Sequence, residues 1–245
     1  MITKDSSLES LLKSYANEFH QVVKFNTSTE KLVALDFTEN NVELNRINIK
    51  DVKEFSNYVF ETLQRKAAKF GFGGYNELRV LYSRSNLFNG SLTEKENLIS
   101  NEEPRRLHIG IDIWGAEGTE IYAPLGGTVH SFAFNNYFGD YGVTIILKHQ
   151  VEAITFFTLY GHLSLRDIED LKEGQELNRG EIFAHFGRSE ENGHWPPHLH
   201  FQIVEDMGNY KGDYPGVCKF SEREEYLKNS PDPDIILKMR KFITE

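Results

Sequence analysis

Read with a period of two, PPHLHFQI (residues 196–203) places His198, His200 and Gln202 on one face and Leu199, Phe201 and Ile203 on the other. That is a half-buried strand with imidazoles on its polar face. Imidazole binds metals and exchanges protons near neutral pH. HIGIDI (108–113) alternates in the same way: His108, Gly110 and Asp112 share one face, and Ile109, Ile111 and Ile113 the other. The glycine between the two polar residues is expected to leave open space where a metal or substrate can approach. A catalytic zinc needs three protein ligands and keeps a fourth position for water. His108 and Asp112 supply two, and the HLH strand supplies the third. Its histidines stand roughly 7 Å apart at i, i+2, so one can ligate while the other meets water or substrate. LYGHLS (159–164) adds His162 at the end of an aromatic-rich strand, a further acid–base candidate.

Each motif alone is weak, since short matches arise by chance. Two clean strands that each gather polar ligands on one face, with a third histidine at a strand end, point together to a metal site. The remaining histidines carry no such pattern. His20, His130, His149 and His185 read as surface or core residues with satisfied hydrogen bonds. His194, just before WPP, reads as a structural or surface residue near the rim.

These residues need a scaffold, and 245 residues allow one large domain or two small ones. A 39% hydrophobic content is enough for a real core. A formal net charge of −10, with no clustered Lys or Arg, makes nucleic acid a poor partner. The single cysteine, Cys218, excludes an intrachain disulfide and a Cys-rich zinc site, so any metal falls to His and carboxylates. No stretch approaches the ~20 apolar residues of a membrane span. MITKDSSLESLLKSYANEF lacks a basic region followed by an apolar run, so a cytoplasmic location is expected, with the cell envelope reached only by another export route or from a longer chain.

The first hundred residues read as a small helix-rich domain, 1–88. An amphipathic helix is expected over 6–24, lined by Leu8, Leu11, Leu12, Tyr15, Phe19, Val22 and Val23, with Ser6 and Glu9 at capping-box spacing. LVALDF (32–37) suggests a strand. A second helix starts at Asp51, with Val52, Phe55, Val59 and Leu63 as its stripe, and FGFGGY (70–75) ends it. ELRVLYSRS (77–85) suggests a strand, and 89–103 a polar linker. After Pro104 the texture changes to short β-rich runs between glycine turns: HIGIDIW, EIYAP, GGTVHSFAF, GVTIILKH, ITFFTLYGH, EIFAHFG and HLHFQIV. Residues 104–212 thus form an all-β core. Residues 213–245 form an extension with a short helix, a proline break and a final helix. The fold class is α+β around an antiparallel sheet.

HIGID, YGHLS and PHLHF, in this order and spacing, resemble the zinc metallopeptidases of family M23, the LytM/lysostaphin type. GTEIYAPLGGTV, GDYGVTIILKH and LKEGQELNRGEIFAHFG agree, and the resemblance covers about 104–206. It implies an antiparallel β-sheet core with the active site in a groove, and hydrolysis of peptide bonds in peptidoglycan or related cell-wall peptides. It implies one Zn²⁺ per chain on His108, Asp112 and His200, with His162 and His198 as non-ligand catalytic histidines. One of these would take a proton from water. The other would stabilise the oxyanion and protonate the leaving amine, the two roles being interchangeable at this level. The approach to the last strand, GRSEENGHWPPHLHF, is longer than the family's usual turn. NGHWPPHLHFQI, with GGYNELRVLY ahead and GDYPGV and PDPDIIL behind, looks like a subgroup with its own substrate choice.

Two other functions fit the same fold. One is a non-catalytic module that binds a peptide or partner through the groove. The other is a metal hydrolase acting on a small cytosolic amide. For residues 1–103 the readings are a packing support for the β core or a shield over the groove.

Overall fold

The computed structural model describes residues 7–89 and 102–244. Ser6 and most of the polar linker, 90–101, lie outside the described residues. From the N-terminus come α1 (Leu8–Ser14), β1 (Leu32–Leu35), α2 (Val52–Arg65), β2 (Phe70–Gly73) and β3 (Glu77–Leu78). The central stretch contributes β4 (Leu107–His108), β5 (Ile111–Trp114), β6 (Glu120–Tyr122), β7 (Gly127–Asn135), β8 (Gly142–Val151) and β9 (Ile154–Leu163). It continues through β10 (Glu176–Leu177), β11 (Ile182–His185), β12 (His198–Val204) and β13 (Val217–Cys218). Helices α3 (Arg223–Asn229) and α4 (Asp234–Leu237) and strand β14 (Ile243–Thr244) close the chain.

Nine strands form one sheet in the order β10-β7-β8-β9-β12-β5-β2-β1-β14. It is antiparallel except at the β2-β1-β14 edge, where pairing is parallel. A three-stranded sheet, β13-β4-β3, and a two-stranded one, β11-β6, complete the α+β architecture. The apolar faces meet in one core that runs through Leu12 of α1, Phe70 of β2, Ile113 of β5, Tyr160 of β9, Phe201 of β12 and Ile236 of α4. Strands β1 and β2 thereby join the same sheet as the segment after Pro104, and α2 packs with Trp114 and Trp195 in a second apolar cluster.

Several elements differ from the sequence reading. The helix expected over 6–24 stops at Ser14, and Val23 pairs with Ile121 in an isolated bridge. Apart from the partly buried Tyr15 the stripe is nevertheless buried, from Leu8 at 2% exposed to Val23 at 1%, because the 19–25 segment delivers the same apolar side chains to the core. β-Branched Val22 and Val23 suit that extended pairing better than a helix. FGFG of FGFGGY, read as a helix end, is strand β2, paired between β5 and β1. ELRVLYSRS is strand only at Glu77–Leu78 and then turns into the 3-10 helix Val80–Arg84. The final helix is a single turn ended by Lys238 at φ 52°, after which β14 pairs with β1.

Helix α2 begins as expected. Asp51 accepts hydrogen bonds from the backbone N–H of Lys53 and Glu54, and Phe55, Val59 and Leu63 are buried. Asp51→Ala is expected to cost ~1 kcal/mol of stability, read as a lower urea midpoint at unchanged slope.

Candidate metal centre

Strand β12 carries the paired histidines, and its polar face is wholly buried. Leu199, Phe201 and Ile203 enter the main core from the other face. In its pairing with β5, His200 lies opposite Asp112 and His198 opposite Trp114. HIGIDI is not one strand. The chain leaves the small sheet after His108 and enters the large one at Ile111, so His108 and Asp112 stand on different sheets and converge at the junction.

There His108 Nε2 lies 2.9 Å from His200 Nδ1. Asp112 Oδ1 is 3.1 Å from His200 Nδ1 and 3.3 Å from His108 Nε2. All three side chains are buried, and their ligand atoms lie within 4.8 Å of one another. Outer partners determine which ring nitrogens point inward. Gly74 O can only accept, so the His108 nitrogen 2.9 Å from it, Nδ1, carries the proton. Gln202 Nε2 donates to Pro215 O and Ser230 Oγ, which turns Gln202 Oε1 toward His200 Nε2 at 3.0 Å. His200 Nε2 therefore carries its proton, and Nδ1 presents a lone pair. Two imidazole lone pairs and a carboxylate oxygen meet at one point, an arrangement that repels itself until a cation sits among them. The donor set suits zinc.

Gly110 does not leave open space as expected. A Cβ there would lie 2.4 Å from His200 Cε1, so the glycine makes room for the His200 ring itself.

Electrostatics favour an ionised Asp112 and a neutral His108. Burial disfavours the Asp112 carboxylate, but the positive charge beside it, of His108 when protonated and of Arg79, holds it well below the usual carboxylate range. Burial, with Arg79 nearby, pushes His108 down to about 4. Arg79 itself is 1% exposed and donates from Nη1 to Asp112 Oδ2 at 2.5 Å.

His162 and His198 stand beside this cluster with their rings stacked 4.1 Å apart. The other face of His198 stacks on Trp114 at 3.8 Å and 10°. His162 donates from Nδ1 to Asn192 O and His198 from Nδ1 to Pro196 O, both at 2.8 Å. In each ring Nε2 is left as the basic atom. Burial pushes His198 down to about 4 and His162 well below its ordinary value, so both are neutral near pH 7. His162 adopts φ 65°, a left-handed conformation that a non-glycine residue keeps only under constraint. The constraint is visible: its N–H donates to Tyr141 O, its carbonyl accepts from Gly187 N, and its ring is tied to Asn192.

A cavity of about 220 Å³ opens beside His162 and His200, bounded by Tyr82, Phe88, Tyr141 and Asp213. Tyr82 and Phe88 come from the N-terminal segment. The histidines set aside in the sequence stay outside the cluster. His149 is held by Gly126 O and Thr158 Oγ1, and His185 by Asp167. His130 meets Ser131 Oγ and His20 meets Gln21 O. His194 stacks on Phe138. Sequence reasoning missed Arg79, Gly74 and Asn192, which act through partners far away in the chain. Gln202 was legible on the polar face of its strand, but its task was not.

Residues 106–211 match the family model described as Peptidase family M23. Over that segment the chain is similar to this family. A protein of Haemophilus influenzae named an uncharacterized metalloprotease is 34% identical over 98 residues, 40% of this chain and 18% of its own length. This chain thus spans less than a fifth of that relative. The catalytic domain of lysostaphin from Staphylococcus simulans is similar at 26% identity and a TM-score of 0.37, over 54% of this chain and 80% of that one. A zinc-containing peptidase from Vibrio cholerae is similar at 23% identity and a TM-score of 0.33, over 49% of this chain and 34% of that one. No helix among the described residues is long and apolar enough to cross a membrane.

Proposed function

We propose that this protein is a zinc-dependent metallopeptidase that cleaves peptide bonds in peptidoglycan or related cell-wall peptides. One observation carries the reading: the inward lone pairs of His108 Nε2, Asp112 Oδ1 and His200 Nδ1 meet at one buried point beside two neutral histidines. A zinc held there supplies a Lewis acid and brings the pKa of a water toward ~7. His162 and His198 each present Nε2 as a base, with Nδ1–H anchored on a backbone carbonyl. One takes the proton of the attacking water on Nε2 and delivers it to the leaving amine, and the other, with its own Nε2 lone pair beside the first, is a second acceptor for that proton. The Tyr141 hydroxyl, 3.4 Å from His200 Nε2, borders the same cavity and offers a donor to the developing oxyanion. An intact ligand set argues against a purely non-catalytic module.

The test is a panel of cell-wall peptides, glycine-rich bridges and unrelated small amides, followed by release of new amine. The expected result is cleavage of wall-type peptides that stops with a chelator and returns with zinc. Cleavage confined to small amides would move the assignment to a cytosolic hydrolase. No cleavage of any substrate by zinc-loaded protein would sink the peptidase reading. The compartment follows the substrate: wall peptides require the envelope, small amides the cytoplasm.

A further inference from the structure

Arg79 lies outside the matched segment 106–211, yet it is among the most deeply buried side chains of the molecule. Its guanidinium is fully engaged. Nε donates to Glu77 Oε2 at 2.6 Å, Nη1 to Asp112 Oδ2 at 2.5 Å, and Nη2 to Gly74 O at 3.3 Å. The plane also lies over the Phe37 ring, 5.4 Å from its centroid. Gly73 is cut to fit it, since a Cβ there would come within 2.6 Å of Arg79 Nη2. Two of these contacts go to the metal centre. Gly74 O is the carbonyl that orients His108, and Asp112 is a member of the cluster.

We infer that Arg79 is a positioning residue for the metal centre, holding Asp112 to a single inward oxygen and fixing the carbonyl that orients His108. The inference rests on reading the His–Asp–His cluster as a zinc site. With Oδ2 taken by Arg79, Asp112 offers Oδ1 alone toward His108 and His200. The centre keeps a position free for water only if the carboxylate does not turn both oxygens inward. Glu77 supplies the second negative charge beside Arg79, so the guanidinium is neutralised without drawing on Oδ1. The M23 segment is therefore completed by residues 73–79, which belong to the N-terminal part of the chain. Lysine cannot do the same work, because one ammonium lacks the rigid fork that spans Asp112, Gly74 and Glu77 at once.

Arg79→Met leaves the buried Asp112 carboxylate and the partly buried Glu77 carboxylate without the cation they share and is the harsher variant. Arg79→Lys keeps the charge, so it decides the matter in folded full-length protein. Three readouts are needed: zinc affinity by competition with a chromophoric chelator, the visible spectrum of the Co²⁺-loaded protein, and kcat separately from KM. The expected result for Arg79→Lys is zinc affinity weaker by roughly 10–100-fold. The Co²⁺ bands should lose intensity as the carboxylate adds a second oxygen, and kcat should fall at unchanged KM. An affinity within about twofold of wild type and a superimposable Co²⁺ spectrum would overturn the inference, even if the melting temperature fell. Wild-type protein that takes up no zinc would instead remove the metal reading, and that is seen before any variant is made.

Discussion

Asp112→Ala should lose stoichiometric zinc and, even without metal, should be destabilised by roughly 3–5 kcal/mol. Both effects come from one carboxylate facing two ways. Oδ1 lies with His108 Nε2 and His200 Nδ1, and Oδ2 accepts from Arg79. Deleting it removes one of three ligands and strands the Arg79 guanidinium, 1% exposed, with Glu77 as its remaining acid. An arginine does not shed its proton to escape that position, so the cost appears as lost folding free energy. The two effects separate experimentally. Metal per chain gives the first, and urea unfolding in chelator gives the second. Added zinc divides them further: at 1,000 times its Kd it stabilises the wild type by roughly 4 kcal/mol and does nothing for the variant. Asp112→Ala that still bound one zinc per chain would refute the ligand assignment. Wild-type stability in chelator would refute the buried ion pair.

The legible part of this molecule is what period-two alternation can encode. The β12 pattern separated His198, His200 and Gln202 from Leu199, Phe201 and Ile203, and the strand divides them that way. It could not encode register, which sets Asp112 opposite His200 and Trp114 opposite His198. HIGIDI shows the limit of the method. Its alternation is unbroken, yet the strand breaks between His108 and Ile111 so that two sheets each deliver a member of the His–Asp–His cluster. The same limit hid the segment after α2. FGFGGY has the glycines of a helix end, but its neighbours in space are β1 and β5, and packing there demands residues without side chains. A Cβ on Gly71 would meet Leu35 at 2.4 Å, and one on Gly73 would meet Arg79. Arg79 itself gave no signal, since a lone arginine in an amphipathic run reads as surface until its tertiary partners are known. The buried stripe of 8–23 was legible as core although its second half is extended, because burial follows from composition more robustly than helix length does.

His162→Ala should keep its zinc and lose turnover, with kcat lower by roughly 10²–10⁴-fold. Its ring is no part of the ligand cluster, so metal content and affinity should match the wild type. It borders the cavity beside His200, and its Nδ1 is committed to Asn192 O, leaving Nε2 as the atom that exchanges a proton. His198→Ala should lose turnover similarly, but with a larger stability cost, since it empties the space between Trp114 and His162. If the stacked pair works as one unit, the double variant should be hardly slower than either single one, because effects within a catalytic unit do not add. Backbone geometry supplies an internal control. At φ 65°, alanine retains the strain that histidine bears and glycine relieves it. His162→Gly should therefore be more stable than His162→Ala by roughly 1 kcal/mol, after glycine's greater entropy in the unfolded chain offsets part of the gain, while the two are equally inactive. A low kcat shared by two variants of different stability ties the loss to the missing imidazole and not to a loosened fold. Equal activity in His162→Ala and wild type, with full zinc in both, would leave His198 alone as the proton carrier.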